Sequence, residues 1–141
     1  MYIMTIGGKK HQRDIAMKVG SFMMQELLPK IRKCDITIRI KNLDKDMVDG
    51  YCHDTEDPRN YLIEIHNDLG LFDFIRTLCH EFVHVKQFVL GEMEDLSPDR
   101  TRWKKRIYNE EKLPYEKHPW EKEAFRLQEI YTRKIFEKNL L

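Results

Sequence analysis

The spacing of apolar positions changes repeatedly along the chain, and each change marks an element. From Gln12 to Leu28, the residues Ile15, Val19, Phe22, Met23 and Leu27 recur at intervals of three and four. That spacing lines one face of a helix, and Pro29 ends it. Met17, Met23 and Met24 read as core filler rather than a metal or cofactor box. At Cys34–Lys41 the period shortens: Ile36, Ile38 and Ile40 alternate with Thr37 and Arg39, as in a half-buried strand. Asn42–Asp46 is turn-like, Met47–His53 is a second short strand around Gly50, and Tyr61–His66 alternates again with Ile63 and Ile65 on one face. His53 and His66 read as surface residues. Asp54–Asn60 is a polar loop without calcium-loop spacing, and Met1–His11, with Gly7-Gly8-Lys9-Lys10, reads as a loose lead-in.

The next stretch is apolar nearly all round. Phe72, Phe74, Ile75, Leu78, Phe82, Val83, Val85, Phe88, Val89 and Leu90 predict a buried helix. Asp68 or Asp73 is placed to cap its start, and Gly91 to stop it. Beyond it, Glu92, Glu94, Asp95 and Asp99 suggest a polar linker. Arg100–Arg106 reads as the charged face of a helix, with a grip on nucleic-acid phosphates as the alternative. Lys112–Pro119 is a loop. A closing helix runs from Trp120 to about Asn139, with Pro119 in its first turn. The order helix, strands, helix, helix is an α+β arrangement.

Bulk properties narrow the classes. A chain of 141 residues accommodates one domain, so 1–141 is expected to be a single unit. Its 25 basic and 24 acidic residues nearly cancel, which removes any global electrostatic drive toward nucleic acid or membrane. Cys34, Cys52 and Cys79 are odd in number and lack CxxC spacing, so neither a disulfide framework nor a cysteine metal site is indicated. No signal-like run and no apolar stretch near ~20 residues occurs. A cytoplasmic protein is expected, with export by a signal-free route left open.

Chemistry concentrates in His80-Glu81-Phe82-Val83-His84. On a helix, His80 and His84 lie one turn apart and share a face, so both imidazoles reach one ion; zinc favours such nitrogens, and a catalytic zinc takes three protein ligands plus water. Glu81 sits about 100° around the helix from His80. There its carboxylate can take a proton from a water whose pKa zinc lowers to roughly 7. For the third ligand, the candidates after His84 are Glu92, Glu94, Asp95, Asp99, Glu110, Glu111, Glu116, His118, Glu121 and Glu123. The linker acids lack the rigid support that a ligand needs. Projecting the last helix at about 100° per residue places Glu121 in one arc with Trp120, Ala124, Phe125, Leu127, Tyr131, Ile135 and Phe136. Glu123 falls just outside that arc, where solvent exposure explains it. His118 precedes Pro119 and is biased to extended geometry, which makes it the runner-up. Glu121 is the choice.

The run Thr77-Leu78-Cys79-His80-Glu81-Phe82-Val83-His84-Val85-Lys86-Gln87, a strand pair upstream and Pro119-Trp120-Glu121-Lys122-Glu123-Ala124 downstream resemble small SprT-like metallopeptidases. They also resemble the minimal gluzincins, phage or bacterial in type, whose third ligand stands on a separate glutamate helix. No histidine lies between His84 and His118, where SprT proper carries one, so the glutamate variant is the closer likeness. The resemblance implies a zincin-like fold: an N-terminal helix on a small mixed or antiparallel sheet, then the HExxH helix, then the glutamate helix. It further implies an outer strand that pairs with an extended peptide over the metal, and a residue that orients a ligand histidine. Relatives carry Asp or Asn for this where Phe125 stands, so Gln128, one turn beyond Phe125, is the expected substitute.

Zinc-dependent peptide hydrolysis follows as the leading expectation, with Glu81 as general base and His80, His84 and Glu121 as ligands. An oxyanion donor is expected from Tyr108, Tyr115 or Tyr131. Two alternatives stand beside it: a non-cleaving zinc-binding regulatory or interaction domain, and a SprT-like protease acting on DNA-bound proteins through Arg100–Arg106. Intact Glu81 argues against the first and near-neutral charge against the second. The expected partner is a peptide or protein substrate, with no membrane; substrate identity and oligomeric state are left open.

Overall fold

The computed structural model describes residues 2–141. In chain order the elements are β1 (Tyr2–Gly7), α1 (Lys10–Leu27), β2 (Asp35–Lys41), β3 (Gly50–Asp54), β4 (Asn60–His66), α2 (Leu71–Val89), β5 (Met93–Ser97), β6 (Arg100–Trp103), β7 (Arg106–Asn109) and α3 (Pro119–Glu137). The fold is α+β, with three α-helices and two sheets among the described residues. None of these helices is long and apolar enough to cross a membrane.

The larger sheet is mixed, in the order β1-β2-β4-β3. β1, β2 and β4 run parallel, and β3 returns antiparallel along β4. Ile36, Ile38 and Ile40 on β2, with Tyr61, Ile63 and Ile65 on β4, face one side and are buried. They pack into one core with Val19, Met23 and Met24 of α1 and Phe74, Leu78 and Phe82 of α2. The opposite side carries polar pairs, Glu64 lying 2.9 Å from His53 and 3.7 Å from Arg39. This period-two split is what the alternation in β2 and β4 demands.

The N-terminus corrects one expectation. Residues 2–7 are no lead-in but an edge strand in parallel register with β2, Ile3 opposite Ile36. A parallel pair needs a crossover, and α1 supplies it. Gly7 and Gly8 make the turn into α1 at positive φ, and a Cβ on Gly7 would collide with the carbonyl of Ile40.

α2 packs against α1, α3, β3 and β4, which is why its middle is buried on every side. Its ends are not: Phe72 and Leu90 are half exposed. Gly70 occupies the N-cap, so neither Asp68 nor Asp73 caps it; Asp73 lies in the first turn, where its charge suits the helix dipole. Gly91, at φ +70°, closes the C-terminus as expected, its N–H donating to Phe88 O at 3.1 Å.

The segment after Gly91 departs most from expectation. Glu92–Asp99 is not a linker, and Arg100–Arg106 is not helical; together they form the antiparallel sheet β5-β6-β7. Thr101 and Trp103 are buried while Arg102 and Lys104 are exposed, a period of two that the density of basic residues hides. Trp103 and Met93 form a small second core with Trp120, seating this sheet against the start of α3. Pro119 stands in the first turn of α3 as expected. His66 is not a free surface residue: its ring accepts the Leu43 N–H at 2.9 Å and lies 3.2 Å from Asp44.

Candidate metal centre

His80 and His84 sit mid-way along α2, and Glu121 in the first turn of α3 faces them. All three are buried. His80 Nε2 lies 2.9 Å and His84 Nε2 3.2 Å from the same oxygen, Glu121 Oε1. One ligand atom from each residue falls within 4.8 Å of the others, and no other such group occurs among the described residues.

The far ring nitrogens are also engaged. His80 Nδ1 donates to Gln128 Oε1 and His84 Nδ1 to Gln87 Oε1, each at 2.7 Å. The amide nitrogens have their own acceptors: Gln87 Nε2 donates to Trp120 O at 2.9 Å, and Gln128 Nε2 to Glu129 Oε1 at 3.0 Å. Each glutamine therefore presents its carbonyl to a histidine, keeping a proton on Nδ1 and turning Nε2 inward as a ligand atom. Two imidazole nitrogens and a carboxylate, converging in a buried site and oriented from behind, suit a metal ion.

The electrostatics agree with that geometry. Burial works against the charged form of His84, but the bond to Glu121 and its charge outweigh it and raise the imidazolium to about 9. Burial likewise opposes the Glu121 carboxylate, and its bonds to His80 and His84 hold it well below the usual carboxylate range. The His84 imidazolium and the Glu121 carboxylate thus attract each other across the junction of α2 and α3.

Glu81 follows His80 on α2, is only 6% exposed, and has no hydrogen bond or ion pair among the described residues. Burial pushes its carboxyl above the usual range, opposed by the charges of His84 and His80. β3 passes beside it because residue 50 is glycine: a Cβ there would stand 3.2 Å from Glu81 Oε2 and 2.8 Å from Thr77 Cγ2. Two clefts, of about 250 and 350 Å³, meet over His80 and Glu81, with Tyr115 in the wall of both.

The remaining candidates lie elsewhere. His118 is buried, but its Nε2 points to Leu113 O at 2.9 Å and its ring stacks on Trp120, so it anchors the preceding loop to α3. Glu123 is not solvent-exposed as its helical angle suggested; it is half-buried and accepts from Lys86 at 2.9 Å and Gln87 at 3.1 Å. Glu92, Glu94 and Asp99 pair with Lys86, Arg102 and Arg100. Of the three tyrosines, Tyr115 alone reaches the cluster, donating to Glu121 Oε1 at 3.0 Å. Tyr108 lies against Trp120 and Tyr131 against Phe22. Burial, then the Glu121 carboxylate, raises the Tyr115 phenol and keeps it a donor. Phe125 and Phe136, which the helical projection turned toward the core, are about 40% exposed. Gln87 was not anticipated, although its position three residues after His84 on one helix face was the available signal.

Compared with known proteins, the chain matches no family model, no curated protein and no solved structure.

Proposed function

We propose that the chain is a zinc-dependent metallopeptidase, a single zincin-like domain with His80, His84 and Glu121 as ligands and Glu81 as general base. The observation that carries this reading is Glu81 itself: a buried carboxylate with no protein partner, beside three convergent ligand groups and open to two clefts. Leaving a buried carboxylate unpaired is costly, and metal binding alone does not require one there. A water and a substrate amide are the partners it lacks.

Zinc in this group supplies a Lewis acid and lowers the pKa of a water to roughly 7. The protein's own residues do the rest. Glu81 accepts the proton of the attacking water and delivers it to the leaving amine. Its raised pKa brings it toward neutral, where one group serves as both base and acid. Gln87 and Gln128 hold the imidazoles in register. The Tyr115 hydroxyl, which donates to Glu121 Oε1 at 3.0 Å, turns its proton toward the developing oxyanion.

The test pairs metal analysis with turnover. Purified protein should carry about one zinc per chain, and Glu121→Ala and His84→Ala should lose most of it. Glu81→Gln should keep zinc and fold while peptide hydrolysis drops at least ~10²-fold. Absence of zinc after reconstitution, or unchanged turnover in Glu81→Gln, defeats the proposal. A zinc-loaded protein that cleaves none of a broad peptide set points instead to a non-cleaving zinc domain.

A further inference from the structure

The larger cleft, of about 350 Å³, leads away from His80 and Glu81 toward the N-terminal half of α2 and the β2–β3 connection. Val48 and Phe125 form apolar walls. The Phe125 ring is 42% exposed and lies 4.7 Å from the His80 ring and 6.1 Å from Tyr115. Three charged side chains, Asp49, Asp73 and Arg76, line the same space.

These charges are not equivalent. Arg76 is committed: its Nε donates to Glu129 Oε1 at 2.6 Å and its Nη2 lies 2.5 Å from that oxygen. Gln128 holds the same carboxylate from the other side at 3.0 Å. The side chains of Asp49 and Asp73 have no hydrogen bond or ion pair among the described residues, and Glu81 below them is buried and unpartnered. The cleft thus sets three carboxylates without ionic partners against one cation already neutralised.

We infer that this cleft receives a basic side chain of the substrate, lysine or arginine, beside the scissile bond, an inference that rests on the peptidase reading. The long aliphatic stem lies against Val48 and Phe125 while the cationic head reaches Asp49 and Asp73. The exposed Phe125 face adds cation–π attraction. An acidic side chain meets unpaired like charge. A purely apolar one fills the walls and gains nothing from the carboxylates.

Binding is measured on zinc-loaded Glu81→Gln protein, which needs no turnover. The probes are alanine-based hexapeptides carrying lysine, norleucine or glutamate at each position in turn. At one position lysine should bind about tenfold tighter than norleucine, the scale of two partly exposed charge pairs, and glutamate weaker than both. The preference should shrink with added salt and fall to about threefold or less in Asp49→Asn/Asp73→Asn, with zinc content and norleucine binding unchanged. Norleucine equal to lysine, glutamate the tightest binder, a lysine preference untouched by the double variant, or no binding by any peptide each overturns the assignment. Wild-type hydrolysis of the same set is read separately. Lysine-selective binding without cleavage defeats the peptidase reading and leaves the cleft's selectivity standing, whereas cleavage without basic preference does the reverse.

Discussion

At the scale of single residues, the centre depends on two glutamines as much as on its charged groups. Gln87 and Gln128 each offer a carbonyl to a histidine Nδ1, and each has its own amide tied off elsewhere, so neither can easily flip. A carboxylate in the same place would add charge to a buried site; an amide orients the ring and adds none. Truncating either should weaken zinc binding by 10- to 100-fold, the usual scale for a group that acts behind a ligand. Gln87→Ala should cost more, because it also frees Trp120 O and one contact to Glu123. Competition against a chromophoric chelator measures this. Wild-type affinity in both variants would mean that packing alone fixes the rings.

At the scale of elements, the basic run is a hairpin with its charges largely engaged. Arg102 pairs with Glu94 and Arg100 with Asp99, while Lys104 and Arg106 lie over Trp103 and Tyr108. A phosphate backbone would have to displace these contacts at nearly every step. DNA binding at physiological salt is therefore expected to be weaker than about 10⁻⁵ M, within the non-specific range. A fluorescence-anisotropy titration decides. Tighter binding that vanishes when Arg102, Lys104 and Lys105 are neutralised would favour a protease directed at DNA-bound proteins.

At the scale of the molecule, the centre joins α2, buried against the large sheet, to α3 near the end of the chain. A metal ion held there would also clamp the two helices together. With zinc at about 100 times its Kd, mass action adds roughly 2.7 kcal/mol, which for a chain of this size raises Tm by about 10 °C. The increment should depend on pH in a definite direction. The His84 imidazolium is raised to about 9 by Glu121 against burial, so its stabilisation of the metal-free chain is complete below pH ~6.5 and is lost as pH rises through 9. Glu121 is held low, so its share is present above its unfolded pKa and lost as pH falls. Ligation needs neutral His84, and the metal displaces that proton. The gap in Tm between zinc-loaded and chelator-treated protein should thus widen from pH 6.5 to 9. Scanning calorimetry at the two pH values tests it, and a gap that narrows would contradict the ion-pair account.

Some of this was legible from residues alone because it depends on local periodicity. His80, Glu81 and His84 share a helix, so their geometry follows from 3.6 residues per turn. The three isoleucines of β2 reveal their buried face in the same way. Glu121 emerged from angles around one helix and Gln128 from the family resemblance, though those angles misjudged Glu123, Phe125 and Phe136, whose exposure depends on what the neighbouring element covers. Tertiary structure alone decided the rest. β1 exists as a strand because β2, across an intervening helix, offers it a parallel partner. Arg100–Arg106 became a hairpin because Trp103 finds Met93 and Trp120, and a small distant core outweighs local charge pattern. Tyr115 was distinguished from Tyr108 and Tyr131 by a contact from the 3-10 turn Tyr115–Lys117 back onto Glu121 in the first turn of α3. Periodicity carries information only within an element; which faces meet, and which carboxylate is left without a partner, is settled by packing between elements distant in sequence.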